Sequence, residues 1–241
     1  MPTTEQLLAL GLIIVYVFDA THFLRIGEAV VETRGRALKR VSFGWPFELA
    51  GRQPFLPNLL TPFQPAFRIE WDLAGGSVTD VESASQEMRA VLAALRPIGW
   101  TSGACGLLIV LAAPVCLILA DQVWFLGAVA ASVLIALVGC IIVIVRRKVL
   151  RLDAKQVISI CFVALICVPC SANLARAVAG NRRWILAAAD LPRLGFEPAD
   201  ATATCRLTVT ALSNAKRYVA QESREFRVID EQVRLLGDCN S

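Results

Sequence analysis

Hydrophobic positions along this chain fall into two patterns: long runs with almost no charge, and short stretches that alternate or recur with a period. Four runs approach the roughly 20 apolar residues that a helix needs to cross a hydrocarbon core with every backbone group paired. The first extends from Leu7 to about Leu24 and is interrupted late by Asp19, Thr21 and His22. Ile98–Ala120 and Val123–Val145 are each 23 residues without a charge, separated only by Asp121 and Gln122, which predicts an antiparallel helical hairpin. The fourth covers Gln156 to about Val178, with Arg176 close enough to its end to snorkel toward water.

Between the first two runs the period changes. Phe67, Ile69, Trp71 and Leu73 alternate with Arg68, Glu70 and Asp72, the signature of a half-buried strand, and "AVVET" and "ALKRVSF" predict two shorter strands. The five prolines between Phe43 and Pro65 exclude a central strand there and predict turns and extended loop. A helix is expected over Asp80–Arg96, with Val81, Ala84, Met88, Val91, Leu92 and Leu95 on one face, before Pro97 opens the second run. Beyond the fourth run, Trp184 suits an interfacial anchor and "CRLTVTALS" a strand, while Phe226, Ile229, Val233 and Leu236 recur at helical spacing.

Composition agrees with the runs. Of 241 residues 56% are hydrophobic, and the mean hydropathy is +0.59, above what soluble domains carry. The expected fold is a polytopic α-helical membrane protein with four transmembrane helices, a small β-rich cytoplasmic module and a small mixed α/β extracytoplasmic tail. Its segments are 1–24 (first span), 25–97 (module and amphipathic helix), 98–120 and 123–145 (spans), 146–155 (basic loop), 156–178 (span) and 179–241 (tail).

Charge sets the expected orientation. Arg25, Arg34, Arg36, Lys39 and Arg40 follow the first run, and residues 146–155 carry five basic side chains against one aspartate, so both segments read as cytoplasmic. Arg182 and Arg183 pull the other way for the tail. The expected location is a bacterial-type inner membrane with both termini extracytoplasmic. The net charge of +4 is accounted for by these clusters, and nothing indicates nucleic acid.

Candidate chemistry is sparse. Cys205 and Cys239 lie in the tail, where an oxidising compartment would favour a disulfide. Cys167 and Cys170 form a Cys-x-x-Cys pair inside the fourth run; Pro169 cannot donate to the carbonyl of Leu165, so the helix is able to break and restart with Cys170 in a new first turn. Four spans, a helical Cys-x-x-Cys and a second cysteine pair form an inventory similar to that of the quinone-linked membrane oxidants that recharge periplasmic disulfide catalysts. That resemblance implies redox-active Cys167 and Cys170 and a quinone; without it no cofactor is expected. The family carries its second pair in a loop between spans, whereas here it follows the last run.

Asp19 and His22 stand one helical turn apart as the ionisable groups of the first run, candidates for proton or ion movement or residents of the headgroup layer. His22 is the only histidine, and no four-ligand metal pattern is present. Phe43, Trp45, Phe47, Phe55 and Phe63 concentrate aromatic surface in the proline-rich segment, either as a partner-binding face or as the module's own core. Ala128, Ser132, Ala136 and Cys140, with Gly99 and Gly103, predict close helix packing. The function expected from the sequence is a noncatalytic accessory or scaffold protein that meets the lipid bilayer and a cytoplasmic protein partner. Thiol–disulfide exchange at Cys167 and Cys170, or proton or ion translocation at Asp19, are the alternatives.

Overall fold

The structure, a computed structural model, describes residues 3–35, 37–45, 48–71, 80–119 and 122–237. Two compact units are interleaved along the chain: a helical unit of Met1–His22, Leu56–Pro65 and Val91–Arg182, and a sheet unit of Phe23–Phe55, Ala66–Ala90 and Arg183–Ser241.

In the helical unit, α1 (Thr4–Ala20) starts at a capping box between Thr3 and Gln6. The helix α2 (Val81–Gly106), whose first ten residues belong to the sheet unit, runs straight through Pro97 into a π-helical stretch, Leu107–Ala112, and α3 (Ala113–Ile118). The next helix is α4 (Gln122–Arg146). Among the described residues two helices, Val81–Ile118 and Gln122–Arg146, are long and apolar enough to cross a membrane. Most of their apolar surface faces outward, including Trp100, Leu126, Leu134 and Val145, which points to membrane association.

The expected four-span architecture is not found. The first run forms a helix of only 17 residues. The fourth is broken into α5 (Ala154–Ile166), α6 (Val168–Ser171) and α7 (Leu174–Gly180). The break reverses the chain. Along α5, Cys161 meets Cys140 and Leu165 packs at Ala136, so the segment descends beside α4. Along α7, Leu174 packs on Gly139 and the Ala175 amide meets Ser102 Oγ, so the chain climbs back toward the end of the bundle where Arg146 Nη1 donates to the Ala94 carbonyl. Residues 154–180 are therefore a hairpin that enters and leaves the bundle at one end.

The proline-rich segment 56–65 also belongs to this unit. Phe63 lies against Gly99 and Gly103, and Pro62 against Gly106; a Cβ on Gly99 would come within 2.9 Å of the Phe63 carbonyl oxygen. The small-residue face of α4 packs inward as expected, with Ala128, Ser132, Ala136 and Cys140 all buried.

In the sheet unit, β1 (His22–Leu24) pairs with β4 (Gln53–Phe55). A second sheet contains β2 (Glu28–Arg34), β3 (Ala37–Ser42), β5 (Ala66–Trp71) and β6 (Arg183–Leu186) in the order β3-β2-β5-β6. Only the β5–β6 pair is parallel, with Ile69 opposite Trp184. This pairing overturns the separation of a cytoplasmic module from an extracytoplasmic tail, because residues of both are strands of one sheet. Trp184 is not an interfacial anchor; it is 4% exposed and meets Phe67 edge to face. "CRLTVTALS" is helical within α8 (Pro198–Ala215), which packs with α9 (Arg224–Gly237). Glu28, buried on β2, pairs with Arg68 on β5.

Candidate functional site

Cys167 and Cys170 are joined by a disulfide at the tip of the hairpin. The backbone leaves helical geometry at Cys167 (φ −101°, ψ 89°), and Pro169 occupies the first turn of the short helix that follows. The Cys170 amide closes the turn on the Cys167 carbonyl at 2.8 Å. Leu165 and Ala172, which flank the tip, pack in the cluster that holds Ala136, and Ala136 precedes Arg146 on α4 by ten residues, or about 15 Å along the helix.

A cavity of about 260 Å³ separates the two arms of the hairpin and is closed on one side by the end of α1. Asp19, His22, Ser159, Cys170, Arg176 and Asn181 give it polar or reactive lining, and the remaining wall is aliphatic. The structure thus brings Asp19 and His22 of the first run together with Cys170 of the fourth. Both side chains line the cavity.

Arg176 organises the wall. Its side chain does not snorkel; the residue is 1% exposed and turned inward. Nη2 donates to the carbonyls of Asn58 (2.5 Å) and Thr61 (2.9 Å), and Nη1 to Asn173 Oδ1 (3.2 Å). Asn173 in turn donates through Nδ2 to Asp19 Oδ2 (3.0 Å) and to the Tyr16 carbonyl (3.2 Å), while the Tyr16 hydroxyl donates to the Leu59 carbonyl (2.5 Å). A loop placed among apolar helices needs partners for its carbonyls, and a guanidinium with five fixed donors supplies them. Arg176 and Asp19 bring opposite charges to the cavity lining.

Tyr16, Asn173 and Arg176 were not among the sequence candidates. The one available signal was Arg176 itself, the lone charge of an apolar run, spaced three residues from Asn173 just past a proline.

The aromatic candidates are divided between the two units. Phe55 is 3% exposed in a core with Leu24, Val30 and Ala66, and Phe43 meets Trp71 edge to face at 5.6 Å. Trp45 is exposed in the sheet unit, whereas Phe63 lies in the helical unit. Phe47 lies outside the described residues. So does Cys239; its expected partner Cys205 is buried with Sγ 3.6 Å from the Leu236 carbonyl oxygen. Among the described residues no cluster of three or more His, Cys, Asp or Glu side chains is placed to hold a metal ion. Comparison of the chain with protein-family models, curated proteins and solved structures finds no match.

Proposed function

We propose that the protein is a membrane-associated thiol–disulfide oxidoreductase whose Cys167–Cys170 pair cycles between disulfide and dithiol. The observation that carries this reading is the position of Cys170, at a helix break on the wall of a cavity that also holds Asp19 and His22. A purely packing role for the two sulfurs would need neither a cavity nor ionisable neighbours beside them. The volume suits a ring-sized molecule rather than a protein domain, so the redox partner is a small one.

In one half-cycle the dithiol meets a quinone-class acceptor: two S–H bonds break, the S–S bond forms, and two electrons and two protons pass to the quinone's two oxygens. In the other, two molecules of a small thiol reduce the disulfide and leave as their own disulfide. The apolar outer surface of the helices gives a lipid-soluble acceptor lateral access.

The membrane placement that accompanies this reading is a bacterial-type inner membrane with the basic segment 146–155 cytoplasmic. Because the hairpin returns to the end where it began, residues 183–241 share that side, in agreement with Arg182 and Arg183. The amino-terminal end of α1, packed toward α3, is extracytoplasmic. A scaffold role through the aromatic segment has less support, since Phe55 is buried in a core with Leu24, Val30 and Ala66 and Phe43 packs on Trp71.

The test is reoxidation of the purified full chain in detergent. After reduction and removal of the reductant, a short-chain benzoquinone is added and each cysteine is read by maleimide mass tagging. The expected result is loss of both Cys167 and Cys170 from the tagged pool with formation of quinol, and no quinol from the Cys167→Ser, Cys170→Ser double variant. Equal quinol production by both proteins would reject the assignment.

A further inference from the structure

We propose that His22 and Asp19 form the proton route between the mouth of the hairpin cavity and Cys170, an inference that rests on the thiol–disulfide reading above. Opening the disulfide with two electrons alone would leave two thiolates among aliphatic side chains, where desolvation strongly disfavours charge. Two protons must therefore travel with the electrons, and the residues flanking the tip pack with Ala136, about 15 Å along α4 from Arg146.

The outgoing arm of the hairpin supplies the order of the route. Cys170 is at its start; Asn173, one turn on, holds the Asp19 carboxylate at 3.0 Å; Gly180 ends the arm, and a Cβ there would lie 3.5 Å from His22 Cε1. His22 at the mouth, Asp19 in the middle and Cys170 at the tip are thus strung along one wall. Asp19 lies in the last turn of α1 and His22 opens β1 just beyond its C-cap Thr21, and both line the cavity.

The other polar groups near this wall do not serve. Arg176 keeps its proton throughout and is occupied with carbonyls; Ser159 and Asn181 do not titrate. The Tyr16 hydroxyl donates to Leu59. The titratable or charged groups facing Asp19 are accordingly Tyr16 from α1, His22 from β1, Arg176 from α7 and Cys170 from α6, and segment 56–65 contributes none. Asn173 is a positioning residue: it fixes which carboxylate oxygen remains available to the cavity.

The experiment follows quinone-driven oxidation of the reduced full chain by stopped flow between about pH 5.5 and pH 8.5, for wild type, Asp19→Asn, Asp19→Glu and His22→Gln. Loss of a positioned proton carrier should slow Asp19→Asn at least about tenfold, with partial rescue by Asp19→Glu. In His22→Gln the profile should lose its inflection in the histidine range, a change that loss of packing alone does not produce. If the wild-type pair oxidises while Asp19→Asn and His22→Gln keep its rate and profile, the proton route is wrong and the redox function stands. If the wild-type pair stays reduced at every pH, both fall.

Discussion

Asn173 donates its side-chain amide to the carboxylate of Asp19 across 3.0 Å, joining residues 154 positions apart in the chain. That contact ties the end of the first apolar run to the returning arm of the fourth. It also links the two charges of the cavity, because the same side chain accepts from Arg176.

Replacing Asn173 by Ala should leave the Asp19 carboxylate and one Arg176 N–H without this partner. The expected loss is about 1–3 kcal/mol, the usual cost of unsatisfied buried polar groups. Thermal unfolding in detergent checks it, and an unchanged midpoint would contradict the bridging role.

Arg176→Met should cost more, on the order of 3–5 kcal/mol, because it strands the Asn58 and Thr61 carbonyls together with the Asp19 charge. Arg176→Lys should not restore stability, since an ammonium cannot span the same fork. Limited proteolysis at 56–65 reports the loop directly: both variants should be cut faster than wild type, and equal cutting would count against the anchor.

These contacts mark the boundary of what the sequence made legible. The strand at 66–71 was visible because alternation records a half-buried strand, those at 28–34 and 37–42 as short apolar-rich runs divided by Arg34, Gly35 and Arg36, and the inward faces of α2 and α4 because their apolar or small positions recur at helical spacing. A run that crosses and a run that turns back have the same composition, so 156–178 passed for a span although Pro169 marked its break. The strand expected from "CRLTVTALS" failed for another reason. Its β-branched residues are accommodated in α8 by hydroxyls bonding back one turn, Thr208 to the Thr204 carbonyl (2.7 Å) and Thr210 to that of Arg206 (3.0 Å). The union of residues 66–71 with 183–186 in one sheet had no local signal at all.

The proposed membrane placement predicts sidedness. Arg151→Cys and Ala199→Cys, both on exposed residues, should react with a membrane-impermeant maleimide from the same side, in inverted vesicles and not in intact cells. Thr4→Cys should react in intact cells. Labelling of Ala199→Cys from outside would restore a crossing between 154 and 180.

Asp190, in the turn Ala188–Arg193 of the sheet unit, is held above its ordinary value chiefly by burial, against an opposing pull from Arg193 and with a smaller push from Asp80. The folded state therefore binds its proton more tightly than the unfolded chain, so this group's contribution to stability falls as pH rises through the carboxylate range. Asp190→Asn removes the penalty. The variant's melting temperature should gain on that of wild type between about pH 3.5 and pH 7, and a difference independent of pH would contradict the assignment.

The central claim, that Cys167 and Cys170 exchange electrons, is tested most directly by mass-tagged maleimide trapping of the full chain in its native membrane, with and without membrane quinone, read peptide by peptide. The account predicts that the pair shifts from disulfide toward dithiol when quinone is depleted and returns when it is restored, while Cys105 and Cys140 remain thiols throughout. A pair locked as disulfide in every condition would make it a structural staple and contradict the account.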